Sequence, residues 1–118
     1  MSLKFEAMVL SCIDPRFQPI VFNFLKKKNL LGKYSSFTIA GGSIGVTKGK
    51  FNSWKKAFWD NLLISIKLHR IKKLIIINHL DCGMAKLVNL KKNFNENIEI
   101  NIHSISFKKI KRNLKKKF

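Results

Sequence analysis

Hydrophobic positions along this chain follow two rhythms. Short apolar runs occupy residues 5–11 (Phe-Glu-Ala-Met-Val-Leu-Ser), 34–40 (Tyr-Ser-Ser-Phe-Thr-Ile-Ala) and 74–78 (Leu-Ile-Ile-Ile-Asn). Each is too short for a helix and is bounded by turn-forming residues, which predicts three strands. The third, unbroken in its apolar character, reads as a central parallel strand buried on both faces. Between the runs the period lengthens. Ile20, Val21, Phe24 and Leu25 recur at spacings of one, three and four within residues 18–29, and that segment closes on Lys26, Lys27 and Lys28, where a helix dipole favours cations. A longer stripe of Trp54, Ala57, Phe58, Asn61, Leu62, Ser65, Ile66 and His69 predicts a helix over residues 52–68, with Asn52 or Ser53 as its N-cap. Gly83 and residues 85–90 suggest a short helix. Ile98, Ile100, Ile102 and Ile105 alternate with polar residues, which predicts a fourth strand, and residues 108–118 read as a basic tail.

Strand, helix, strand, helix, strand is the order of βαβ units, so the expected fold is α/β: a small, mostly parallel β-sheet of about four strands flanked by helices. The expected organisation is one domain over residues 1–107 and the tail beyond it. In such sheets ligands gather outside the carboxyl ends of the strands, where the strand order switches. Two of the apolar runs end alike. Met8-Val9-Leu10 leads into Ser11-Cys12-Ile13-Asp14-Pro15-Arg16, and the third run leads into His79-Leu80-Asp81-Cys82-Gly83. If the first and third strands are neighbours, with the second on the far side of the first, then Cys12, His79 and Cys82 converge at that switch point.

Two thiolates and one imidazole are a set that zinc accepts, and three protein ligands leave a fourth position for water or for a carboxylate such as Asp14. The same residues admit plainer readings: two buried cysteines acting as small hydrophobes beside a core histidine, or a structural zinc closed by Asp14. Asp14 and Arg16 could equally form a surface ion pair, and Asp81 could cap the helix that follows it. Gly41 and Gly42 are either turn glycines or backbone amides lining a substrate pocket. His69 and His103 read as unrelated to the metal set.

Composition adds a charge question. Among 118 residues, 46% of them hydrophobic, 24 Lys and Arg stand against 6 Asp and Glu, a formal net charge of +18. That balance raises nucleic acid or another anionic surface as a partner. The joint abundance of Lys, Asn, Ile and Phe is also what AT-rich coding produces, so the charge alone defines no partner. No uninterrupted apolar run reaches about 18 residues, so no membrane span is expected. The opening Met-Ser-Leu-Lys-Phe-Glu lacks the pattern of a signal peptide, so a cytoplasmic location is expected, where two cysteines serve as metal ligands or free thiols in preference to a disulfide.

The two motif halves together resemble the β-class carbonic anhydrases. That family's metal motif, Cys-x-Asp-x-Arg followed by His-x-x-Cys-Gly, reads here as Cys12-Ile13-Asp14-Pro15-Arg16 and His79-Leu80-Asp81-Cys82-Gly83, with Ala40-Gly41-Gly42 matching the Ala-Gly of the loop between them. The resemblance covers residues 7–87. It implies Zn2+ on Cys12, His79 and Cys82, and a carbonate dehydratase that interconverts carbon dioxide and bicarbonate through zinc-bound hydroxide. Asp14 would orient that hydroxide and Arg16 would keep Asp14 ionised. It also implies a homodimer, because the family builds its pocket at a subunit boundary. One departure is local: Thr38-Ile39 stands where the family carries Arg-Asn before the Ala-Gly. Two alternatives therefore stay open, a degenerate zinc domain using its basic surface to bind nucleic acid or anionic partners, and a carbonyl sulfide or carbon disulfide hydrolase on the same scaffold.

Overall fold

A computed structural model describes residues 4–89 and 93–118. Three strands form, β1 (Ala7–Ser11), β2 (Tyr34–Thr38) and β3 (Lys73–Ile77), all parallel and in the order β2-β1-β3. A central parallel strand must be covered on both faces, and every residue of β1 is buried. Its alternating side chains divide the core. Met8 and Leu10 join Val46, Phe58, Trp59, Leu62 and Ile110 on one face, while Val9 joins Leu25 and Leu30 on the other.

The connections explain which helix covers which face. Helix α1 (Gln18–Lys27) carries the chain from β1 to β2, and α2 (Asn52–His69) carries it from β2 back across β1 to β3. Crossovers of one hand that run in opposite directions place their helices on opposite faces. Accordingly Leu25 of α1 packs with Val9, whereas Phe58 and Leu62 of α2 pack with Met8 and Leu10. A 3-10 turn at Gly49–Phe51 leads into α2, and Phe51 holds the cap position without a side-chain bond, so neither Asn52 nor Ser53 caps the helix. The buried stripe of α2 is Phe58, Trp59, Leu62 and Ser65; Ala57 and Asn61, expected on it, face solvent.

Among the described residues the sheet has three strands, not the four expected. Residues 98–105 belong to α4 (Glu96–Lys117), a 22-residue helix about 33 Å long, and residues 108–117 are its continuation and not a separate tail. Among the described residues no fourth strand lies beside β3, which is an edge strand and only partly buried. The ends of α4 are well specified. The side chain of Asn95 accepts from the Ile98 amide at 2.9 Å, Glu96 and Glu99 lie in the first turn, and Lys115, Lys116 and Lys117 lie in the last. Its buried residues, Glu99, His103, Ser106 and Ile110, recur every three or four positions, while Ile100 and Ile105 are 49% and 44% exposed. The short helix α3 (Gly83–Val88) follows the second motif; its expected last residue, Leu90, lies outside the described residues. Among the described residues, no helix is long and apolar enough to cross a membrane.

Candidate metal centre

The register that pairs Ser11 with Ile77 brings the carboxyl ends of β1 and β3 side by side, so the two motif halves leave the sheet at the same edge. There one ligand atom from each of Cys12, His79 and Cys82 lies within 4.8 Å of the other two. Both cysteines are free and buried, and the His79 side chain is 8% exposed. The His79 ring is fixed in place. It stacks on Phe17 with centroids 4.0 Å apart, and its Nδ1 lies 2.7 Å from the Leu80 carbonyl, which accepts only if Nδ1 carries the proton. Nε2 is then a bare acceptor. It is buried and has no hydrogen-bond partner among the described residues.

An unsatisfied buried acceptor is costly, and here it sits beside two sulfurs. Burial pushes the Cys82 thiol up, the amides of Ala85 and Met84 work in the opposite direction, and the neighbouring Cys12 adds to the rise. A cation resolves all three demands together, because it takes the imidazole lone pair and stabilises the thiolates. The donor set therefore fits a metal ion.

The glycine loop after β2 supports this centre. The Gly41 amide donates to Cys12 Sγ at 3.3 Å. Gly41 has φ +79°, and a Cβ there would stand 2.8 Å from Met84 Cβ; Gly42 has φ +55°, and a Cβ there would meet Asn78 Oδ1 at 2.6 Å. Both positions need glycine for conformation and for space.

Asp14 and Arg16 form a close pair at the rim. Arg16 Nη2 donates to Asp14 Oδ2 at 2.7 Å, Nε donates to Oδ1 at 3.1 Å, and the Arg16 amide donates to Oδ1 at 3.0 Å. The hydrogen bond from the Arg16 side chain lowers the Asp14 carboxyl to about 2 against the opposing effect of desolvation. Arg16 also spans the two motif halves: Nη1 donates to Asp81 Oδ2 at 2.8 Å and Nη2 to the Asp81 carbonyl at 3.0 Å. The Nη1 bond and the guanidinium charge hold the Asp81 carboxyl down as well. Asp81 is thus a clamp partner, held at φ 56°, and Cys82 occupies the cap position of α3. Asp14 Oδ2 lies 3.8 Å from His79 Nε2, next to the ligand group without belonging to it.

Three residues outside the motif complete the surroundings. Glu99 accepts from the Asp81 and Cys82 amides, both at 2.9 Å, and His103 lies 3.0 Å from it through Nε2. Burial raises the Glu99 carboxyl, but these donors outweigh it and hold the group below its ordinary value. Asn78 bonds His103 Nδ1 at 2.7 Å. A cleft of about 260 Å³ adjoins His79, with Leu80, Ile100 and Phe107 among its walls. The alternating isoleucines around Glu99 and His103 imitate a strand; the Asn95 cap, acidic first turn and basic last turn are the signals of the helix that carries them.

Parallel strands, helices on both faces and a Cys-His-Cys group at the switch in strand order define a small α/β protein with a site able to hold a metal ion. The chain belongs to the family described as "Putative carbonic anhydrase", whose model matches residues 1–114. It is 26% identical over 114 residues to an uncharacterized protein of Rickettsia bellii (strain RML369-C), covering 96% of this chain and 70% of that protein. It is 25% identical over 83 residues to an uncharacterized protein of Rickettsia conorii (strain ATCC VR-613 / Malish 7), covering 70% of this chain and 45% of that protein. No solved structure matches it.

Proposed function

We propose that the protein is a zinc lyase of the β-class carbonic anhydrase type, interconverting carbon dioxide and bicarbonate. The observation that carries this reading is the convergence of Cys12, His79 and Cys82 beside an aspartate that an arginine keeps ionised. Zinc is the metal that two thiolates and an imidazole favour, and when bound it supplies the Lewis acidity that makes water a nucleophile near neutral pH. The chain's own residues then divide the work. Cys12, His79 and Cys82 hold the ion, and the His79 Nδ1–H bond to Leu80 fixes the tautomer that presents Nε2. Asp14, ionised at any pH near neutrality, accepts a hydrogen bond from the attacking water and sets its orientation. Arg16 positions Asp14 and holds its charge. Leu80, Ile100 and Phe107 give the adjoining cleft apolar walls that suit a small uncharged substrate.

Stopped-flow hydration of carbon dioxide by the zinc-loaded protein tests the reading. Activity well above buffer is expected, and Asp14→Asn, which keeps all three ligands, should retain zinc and lose on the order of 10²-fold in rate. Hydration at the buffer rate with zinc bound would overturn the assignment. Sulfide release from carbonyl sulfide or carbon disulfide in that same protein would move the assignment to hydrolysis of those substrates.

A further inference from the structure

The polar stripe on α4 is too well ordered to be incidental. Glu99, His103 and Ser106 are 4%, 6% and 3% exposed, and their bonds form one directional chain. Ser106 Oγ donates to the His103 carbonyl at 2.7 Å, which leaves it to accept from Ser43 Oγ, also at 2.7 Å. Ser43 Oγ in turn accepts from Asn78 Nδ2 at 2.8 Å, while the Ser43 amide donates to Asn78 Oδ1 at 3.2 Å. The second hydrogen of Asn78 Nδ2 goes to His103 Nδ1 at 2.7 Å, so that nitrogen is the acceptor and the His103 proton sits on Nε2. Nε2–H then donates to Glu99 Oε2 at 3.0 Å, and the two Glu99 oxygens take the Asp81 and Cys82 amides at 2.9 Å each.

Every donor and acceptor in this chain has one consistent role, and the chain ties α4 to the loop that carries His79 and Cys82 and to the glycine loop that touches Cys12. Asn78 directly precedes His79, the Cys82 amide belongs to a ligand, and Ser43 lies two residues after Gly41, whose amide donates to Cys12. We propose that Glu99 and His103 are positioning residues for the metal centre, by which α4 fixes the loop that bears His79 and Cys82 and, through Ser43, the glycine loop against Cys12, and so sets the affinity of the site for its ion. Partners that orient ligands in this way typically govern metal affinity over roughly 10- to 100-fold. The inference rests on the reading of Cys12, His79 and Cys82 as a metal site.

The test measures zinc affinity of the full-length protein by competition with a chromogenic chelator and records the visible spectrum of its cobalt(II) form, at a temperature where every variant retains its helical content. Glu99→Ala, which strands two buried amides, and His103→Leu, which breaks the chain at its middle, should each weaken zinc roughly 10- to 100-fold and alter the cobalt ligand-field bands. His103→Gln supplies an amide N–H donor and a carbonyl acceptor in place of the two ring nitrogens, and should return both readouts close to wild type. Ile110→Ala lies on the same helix but packs into the apolar core, and should lower the melting temperature without changing affinity or spectrum. Wild-type affinity and spectrum in His103→Leu overturn the proposal. So does an equal loss in Ile110→Ala, since any weakening of α4 would then suffice. If Glu99→Ala does not fold, the His103→Leu and His103→Gln pair decides alone. Wild-type protein that takes up neither zinc nor cobalt brings down the metal reading itself, and the inference with it.

Discussion

Helices α2 and α4 are the two longest in the molecule, and they reach the core with opposite chemistry. The buried stripe of α2 is Phe58, Trp59 and Leu62 with a single Ser65, whereas that of α4 begins with Glu99, His103 and Ser106 and turns apolar only at Ile110. The first stripe excludes water from the sheet. Over its first three turns α4 instead satisfies backbone amides and a side chain in the loop that bears His79 and Cys82. Farther along, Ile110 and Leu114 meet the same cluster that Phe58 anchors. A single helix thus joins the apolar core to the site, and the contrast lies in what holds each end: area removed from water in one case, hydrogen bonds with fixed directions in the other.

That contrast can be broken at graded strengths by urea denaturation. Phe58→Ala should cost the most, about 3–5 kcal/mol, because it empties a fully buried aromatic volume. Asn78→Ala should cost less, about 1–3 kcal/mol, by leaving the Ser43 amide and His103 Nδ1 without their partner. A larger loss at Asn78 than at Phe58 would mean that the polar chain, and not the apolar core, dominates stability. Asn95→Ala should remove about 1 kcal/mol as a lost cap, and a null result would place the start of α4 elsewhere. Ile100→Ser and Ile105→Thr sharpen the point most finely. Both side chains are substantially exposed on α4, so each change should stay within about 0.5 kcal/mol; a loss of several kcal/mol would instead fit the buried strand that their alternation suggested.

The same contrast explains what could be read from the amino-acid order. The strands β1, β2 and β3 and the two crossover helices were legible, because apolar runs and apolar stripes carry their period openly; the order that sets β1 between its neighbours entered only as a condition, which the sheet meets. On that condition the gathering of Cys12, His79 and Cys82 was legible too, since it needed only the strand ends and the topology. Helix α4 was not legible from its hydrophobic residues. Its inward face is polar, so no apolar stripe marks Glu99, His103 and Ser106 as buried, and the isoleucines flanking that face alternate like a strand. A period of 3.6 was present in the buried positions, but only the cap and charge at the two ends announced it. Asp81 was misplaced for a related reason. An aspartate before a helix reads as a cap, and its bond to Arg16, 65 positions away, depends on the two loops meeting in space.

The central claim, that Cys12, His79 and Cys82 form a mononuclear metal centre, is tested most directly by elemental analysis of the purified protein after dialysis against zinc. The account predicts one zinc per chain in the wild type and none in the double variant Cys12→Ser, Cys82→Ser. Zinc-free wild-type protein, or zinc retained at full stoichiometry in the double variant, would contradict it.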